Sequence, residues 1–205
     1  MGILSSSTAL TRYRIVETVP KSLWGEVQER LERYSFQDID ATAEEQAFGW
    51  VCFDNMLDSE WTSAPPQKGG EHLTFALRLD TRRIPASVLK KHYRIGLEEL
   101  EQKNKERGNK YVGREQKQEL REQTKLRLLA RVLPVPAVFD VVWNTSTDRV
   151  YFASTRDSMQ DLFEDLFTRT FALHLEPLTP YYLSLASLGQ EGRKAVEAYE
   201  PGTFI

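Results

Sequence analysis

The chain has 205 residues, of which 40% are hydrophobic and 28% charged, and its net charge is −3. Those values suit one sizeable folded domain, or one domain with an appendage, and exclude wholesale disorder. No apolar run approaches the roughly 18 to 20 residues of a membrane span, and "MGILSSSTAL" lacks the basic and apolar regions of a secretory signal, so no membrane partner is expected.

Gly2 and Ser6 echo a myristoylation signal, but a plain N terminus is the simpler reading. Leu10 to Val16 suits a strand. "PKSLWGEVQERLERYSF" suits a helix, with Leu23, Trp24, Val27 and Leu31 at helical spacing and Pro20 near its start. "AFGWVCF" reads as a strand carrying Cys52, the single cysteine. It can form no internal disulfide and no cysteine-based zinc site, it reads as a small buried residue, and it fits a reducing cytoplasm. "SAPPQKGG" is a loop. "HLTFALRLD" alternates, which predicts a half-buried strand with Leu73, Phe75, Leu77 and Leu79 on one side.

Pro85 opens a long helix to about Glu106, and Gly108 and Asn109 break it. A second long helix is expected from about Gly113 to Val132, where Pro134 and Pro136 bar its continuation. "AVFDVVWNTSTDRVYFAS" is a hairpin around "NTSTD". "SMQDLFEDLFTRTF" is an amphipathic helix with Met159, Leu162, Phe163, Leu166 and Phe167 on one stripe. "ALHLEPL" is a last short strand, and helical turns are expected after Pro180.

The element string is strand-helix-strand-strand, a helical pair, then strand-strand-helix-strand, so the two halves are reversed copies in pattern. It predicts an α+β fold: an antiparallel or mixed sheet with helices packed on it, plus a protruding long two-helix hairpin. In this scheme residues 1–81 and 133–205 form one body, and residues 82–132 are a basic helical arm inserted in it.

Charge sets the arm apart. Arg82 to Arg131 holds 15 Lys and Arg against 7 Asp and Glu, a net of +8, while the remainder carries −11. At about 100° per residue, Lys110, Arg114, Lys117, Arg121 and Lys125 fall within an arc of roughly 80°. Such a ridge can follow a phosphate backbone without reading its sequence. Two other readings stay open: a solvated helix with Lys–Glu pairs four residues apart, and a docking face for an acidic protein.

Motifs for catalysis are sparse. "KGGEH" lacks the spacing of a phosphate-binding loop, and no Gly-x-Gly-x-x-Gly follows a strand. His72, His92 and His174 lie far apart and read as structural. Asp157, Asp161 and Asp165 share a helix face beside Glu164, where a Mg²⁺-dependent nuclease could hold its metal, but an acidic helix start and outer face need none. Asp54, Asp58 and Glu60 read as loop acids. No catalytic residue, metal site or cofactor is therefore assigned.

The order of these features resembles the recombination-associated RdgC family. The matching segments are "GWV" (Gly49 to Val51), "IPASVLKKHY", the Lys/Arg/Glu-rich helical pair, "LLARVLP", "VVW" (Val141 to Trp143) and "LHLEPL" (Leu173 to Leu178). The resemblance implies a nucleoid-associated protein without known enzymatic activity. It implies binding of double-stranded DNA with little sequence preference, opposition to RecA-promoted recombination, and a ring-shaped homodimer with DNA in its positively lined hole. The helical pair is similar to the family's finger region, in which one segment supplies an Arg and a Phe near the DNA. Arg131 keeps the cation, whereas Leu133 stands where the aromatic would be. The chain ends at "YEPGTFI", with Phe204 and Ile205 last, which reads as a short or C-terminally truncated member. Lys110, Arg114, Lys117, Arg121, Lys125 and Arg131 are the expected phosphate contacts, with Lys103, Lys105 and Arg107 as second choices. A protein-interaction module docking through the arm, or a Mg²⁺-dependent nuclease, are the alternatives.

Overall fold

The computed structural model describes residues 2–106, 108 and 111–198. Among them the elements run β1 (Thr11–Ile15), α1 (Leu23–Arg33), β2 (Gln46–Val51), β3 (Gln67–Lys68), β4 (His72–Thr81), α2 (Ala86–Glu106), α3 (Arg114–Leu129), β5 (Val135–Asn144), β6 (Arg149–Phe152), α4 (Asp157–Phe171), β7 (Leu175–Pro177) and α5 (Pro180–Glu197). The strands make one seven-stranded antiparallel sheet in the order β2-β4-β5-β6-β1-β7, with β3 paired to β4. This is the expected α+β class. The only parallel pairing among the described residues is an isolated bridge between Ser35 and Trp50.

The chain divides into two compact units. The first comprises residues 1–35, 49–77 and 138–205; the second comprises residues 36–48 and 78–137. The basic segment 82–132 falls in the second, together with the loop between α1 and β2.

In the first unit each of five strands sends one aromatic side chain toward α4. Tyr13 (β1), Trp50 (β2) and Phe152 (β6) meet Phe163, with Phe152 stacked on it at 4.2 Å. Phe75 (β4) meets Phe171, and Trp143 (β5) meets both Phe167 and Phe171. Phe163, Phe167 and Phe171 recur every four residues, so one helical stripe serves the whole sheet. Trp24 of α1 also packs on Trp143, at 5.2 Å, which places α1 on the same face. Trp50 is anchored in this layer through a polar chain, whereas the Tyr13 hydroxyl and Trp143 Nε1 are buried without a hydrogen-bond partner among the described residues. Trp50 Nε1 donates to Thr170 Oγ1 at 2.7 Å, and that hydroxyl donates onward to Leu166 O at 2.7 Å.

Local chemistry fixes the ends of these elements. In the β5–β6 turn Asn144 Oδ1 accepts from the N–H groups of Ser146 and Thr147, and Asp148 takes a left-handed conformation (φ 50°). α4 ends at Ala172, also left-handed (φ 56°). Thr179 caps α5 by accepting from Tyr182 N–H, and Pro180 occupies its first turn. That cap nucleates an 18-residue helix where only turns were expected.

β4 departs from its expected alternation: burial is continuous from Leu73 to Arg78. β2 and β5 flank it in the sheet, and consecutive residues point to opposite faces, so both of its faces are covered. β3 was missed as a strand, since two residues paired to the start of β4 leave no periodic signal.

The second unit is held by charged side chains turned inward. Arg78 and Asp80, two residues apart on β4, make a bidentate pair at 2.8 and 2.7 Å, with the Phe36 ring 4.1 Å from the guanidinium carbon. Arg82 is buried and donates to the carbonyls of Ile39, Asp40 and Thr42. One cation of the basic segment is thus a structural clasp.

Candidate nucleic-acid interface

α2 and α3 pack against each other in antiparallel fashion, and the contacts step in opposite directions along the two helices. Asn104, near the end of α2, donates to Gln116 Oε1 and Tyr111 O, both at 3.4 Å. A Cβ on Gly96 would stand 3.1 Å from Leu120, so the missing side chain is what lets the helices approach. Further along, Leu89 and Tyr93 share a groove with Arg121 and Lys125. Gly108 (φ 80°) closes α2 with its N–H on Lys105 O, the left-handed helix stop that glycine favours.

α3 begins at Arg114. Gly113 caps it, and its N–H is accepted by Gln116 Oε1 at 3.1 Å, half of a capping box, since glycine has no side chain to return the bond. Lys110, Arg107 and Asn109 lie outside the described residues.

The helical part of the ridge is Arg114, Lys117, Arg121 and Lys125. All four are exposed, and they line one groove of about 590 Å³ together with Leu89 and Tyr93 of α2. Lys125 forms an ion pair with Glu45. Arg114, Lys117 and Arg121 form no ion pair with another described residue. The acids on α3 bond instead to its glutamines: Gln118 Nε2 donates to Glu122 at 3.2 Å, and Gln123 Nε2 donates to Glu119 at 3.0 Å. Lys–Glu pairing four residues apart within the helix, which a merely solvated helix would use, is absent along this stripe among the described residues. Like charges stand three and four residues apart instead, an arrangement that destabilises a helix by a few tenths of a kcal/mol per pair.

The remaining expected contacts are dispersed. Lys103 and Lys105 are exposed in the last turn of α2, and Lys105 shares a smaller cavity of about 240 Å³ with Lys117, Asn104 and Tyr111. Arg131 is exposed beyond the end of α3, outside the main groove, and Leu133 is 76% exposed. The contribution of Leu89 and Tyr93 was not foreseen. Their spacing of four marks one face of α2, but only the packing of α3 shows which face that is.

The acids considered for a metal do not converge. Asp157, Asp161 and Asp165 are exposed on α4, and Asp165 is engaged by Arg169 at 2.8 Å. Among the described residues no three His, Cys, Asp or Glu side chains are grouped to hold a metal ion. Glu164 is held above the usual carboxylate range by burial and by Asp161, against the opposing influence of the nearby Tyr13 hydroxyl. His72 meets Asn144 at 3.3 Å and His174 meets Glu17, both near the surface. Cys52 is buried, as expected.

The family model described as "Putative exonuclease, RdgC" matches residues 8–186. The chain belongs to the RdgC family. The match takes in every segment on which the resemblance rested, including both helices of the basic pair. RdgC membership supports a recombination-associated, DNA-binding role. No curated protein matches the chain. Among the described residues no helix is long and apolar enough to cross a membrane.

Proposed function

We propose that this RdgC-family chain binds double-stranded DNA without sequence preference, as a nucleoid-associated, cytoplasmic homodimer, and opposes RecA-promoted recombination by occupying DNA. The carrying observation is the face of α3 on which Arg114, Lys117 and Arg121 stand exposed and unpaired with any described residue. The sequence gives up helix stability to hold those like charges together, and a polyanion relieves the repulsion while releasing its counterions. Four of the eight described residues lining the groove are Arg or Lys, against one amide (Gln118) and one carboxylate (Glu122), which supports contacts that position DNA over contacts that read it. Lys125 joins when it leaves Glu45, and Arg131, Lys103 and Lys105 extend the positive surface. The acidic remainder of the chain discourages DNA elsewhere.

Gel-shift titration on duplexes of unrelated sequence at two salt concentrations tests this reading. Affinities should agree across sequences and fall steeply with salt. Replacing Arg114, Lys117 and Arg121 by Ala should weaken binding and flatten the salt dependence; unchanged binding would exclude α3 as the interface. Chain bound to duplex in advance should slow RecA-driven strand exchange, and the triple variant should not.

A docking role for the same helical pair is favoured by Tyr111, Leu126 and Leu133, which are 85%, 55% and 76% exposed. Under that reading Leu133→Ser disturbs self-association while duplex affinity is kept.

A further inference from the structure

The cationic groove has an apolar floor that phosphate binding alone does not require. Beside its main channel lies a compartment of about 310 Å³ lined by Ala86, Leu89, Lys90, Tyr93 and Arg121. Leu89, Tyr93 and Arg121 line both spaces, so the two are continuous. Ala86, Leu89 or Lys90, and Tyr93 recur at three- and four-residue steps, which makes them one stripe of α2. The walls are an aromatic ring and aliphatic groups, and Lys90 and Arg121 stand at the rim. At the small end of ligand-pocket volumes, the compartment takes a single planar ring system and not a duplex. An aromatic face set among cations is the arrangement by which proteins hold single-stranded nucleic acid: the backbone follows the charge and a base stacks on the ring.

We infer that this compartment receives one unpaired base of single-stranded DNA, stacked on Tyr93, with the flanking phosphates on Arg121, Lys117 and Lys90. The inference rests on the DNA-binding reading above and adds a subsite to it. Leu89 and Ala86 form the apolar wall beside the ring. No described residue lining the compartment carries an amide or carboxylate side chain, which leaves it tolerant of base identity. Tyr93 thereby separates single-stranded from duplex binding, since a paired base cannot enter.

Fluorescence anisotropy on the full chain tests the subsite, with a labelled oligo-dT strand and a mixed-sequence duplex of equal length. Tyr93→Ala should weaken oligo-dT binding roughly 5- to 150-fold, the range of base–aromatic stacking, and Tyr93→Phe should restore it. Duplex affinity should fall by clearly less than oligo-dT affinity, because Tyr93 also lines the groove proposed for the duplex but stacks only on an unpaired base. Tyr93→Leu keeps the apolar bulk and removes the ring, so it must lose oligo-dT affinity as Ala does, whether or not the Ala variant folds. Equal losses on both substrates, or full oligo-dT binding by Tyr93→Leu, would overturn the subsite alone. A parent chain that binds neither substrate at low salt would overturn the DNA-binding reading with it. A polyglutamate peptide that binds in a Tyr93-dependent way while oligo-dT does not would give the groove to an acidic protein segment instead.

Discussion

α3 and α4 are neighbouring helices in the chain order and similar in length, yet they use their surfaces in opposite ways. α4 buries Met159, Phe163, Leu166, Phe167, Thr170 and Phe171. α3 buries only Thr124, Leu128 and Leu129, all in its last two turns. The first is an organiser of the core, fixed by an aromatic side chain from each of five strands. The second is anchored at its C-terminal end and through Leu120, and it leaves most of its length to solvent and charge. Aromatic core packing is therefore concentrated in one unit, and the proposed DNA recognition lies in the other. Substitutions in the two helices should separate cleanly in what they change.

The strongest test of that separation is Phe163→Ala. It removes a ring that touches Tyr13, Trp50, Phe152 and Phe167, and should cost about 3–5 kcal/mol in denaturant unfolding. A cost below about 1 kcal/mol would show that the aromatic layer does not organise the first unit.

Asp58 comes next. Its carboxylate accepts from the N–H groups of Glu60, Thr62 and Ser63 at 3.1, 3.1 and 2.6 Å. Burial pushes its pKa up, but these donors outweigh burial and hold it at about 2. A carboxyl held below its unfolded value contributes stability that is complete above the unfolded pKa, near 4, and is lost as pH falls toward about 2. Asp58→Asn presents an amide where a second acceptor is needed, and should cost about 1.5–3 kcal/mol at neutral pH. It should also flatten acid unfolding across that window. Asp140 and Glu164 are shifted the other way by burial, so their contributions decline as pH rises through the folded values.

On the recognition side, the triple change of Arg114, Lys117 and Arg121 to Ala should lower the salt exponent of duplex binding by about 2.7, at about 0.9 per lost phosphate contact. Its unfolding free energy should move little, because these side chains are exposed and relieving like-charge neighbours slightly favours the helix. A large loss of stability with no change in salt exponent would reverse the roles given to the two helices. The smallest effect is expected at Glu45. Its pair with Lys125 is half-exposed on both sides, so Glu45→Gln should change stability by under about 1 kcal/mol. Duplex affinity should rise slightly as Lys125 becomes free, which a side-by-side titration can read.

Some of the site was legible in the order of residues. The steps of three and four that place Arg114, Lys117, Arg121 and Lys125 on one face survive intact because a helix turns them into geometry directly. Lys110, the fifth member of the expected stripe, lies outside the described residues. Glu45 could not be connected to Lys125 by any local pattern, since 80 residues separate them. Arg82, counted among the basic segment, is buried on loop carbonyls for the same reason: its partners at Ile39, Asp40 and Thr42 are remote in sequence.

By itself the sequence determined the element types and their order apart from β3 and the extent of α5, the isolation of positive charge between Arg82 and Arg131, and the aromatic stripe of α4. These follow from periodicities of two and 3.6 and from composition, which are properties of neighbouring residues. Tertiary structure alone decided that β4 is covered on both faces, that Gly96 admits Leu120, and that Leu89 and Tyr93 meet the cations of α3 in one groove. Those facts depend on which surfaces come together, and burial and long-range hydrogen bonds set that choice after the local elements have formed.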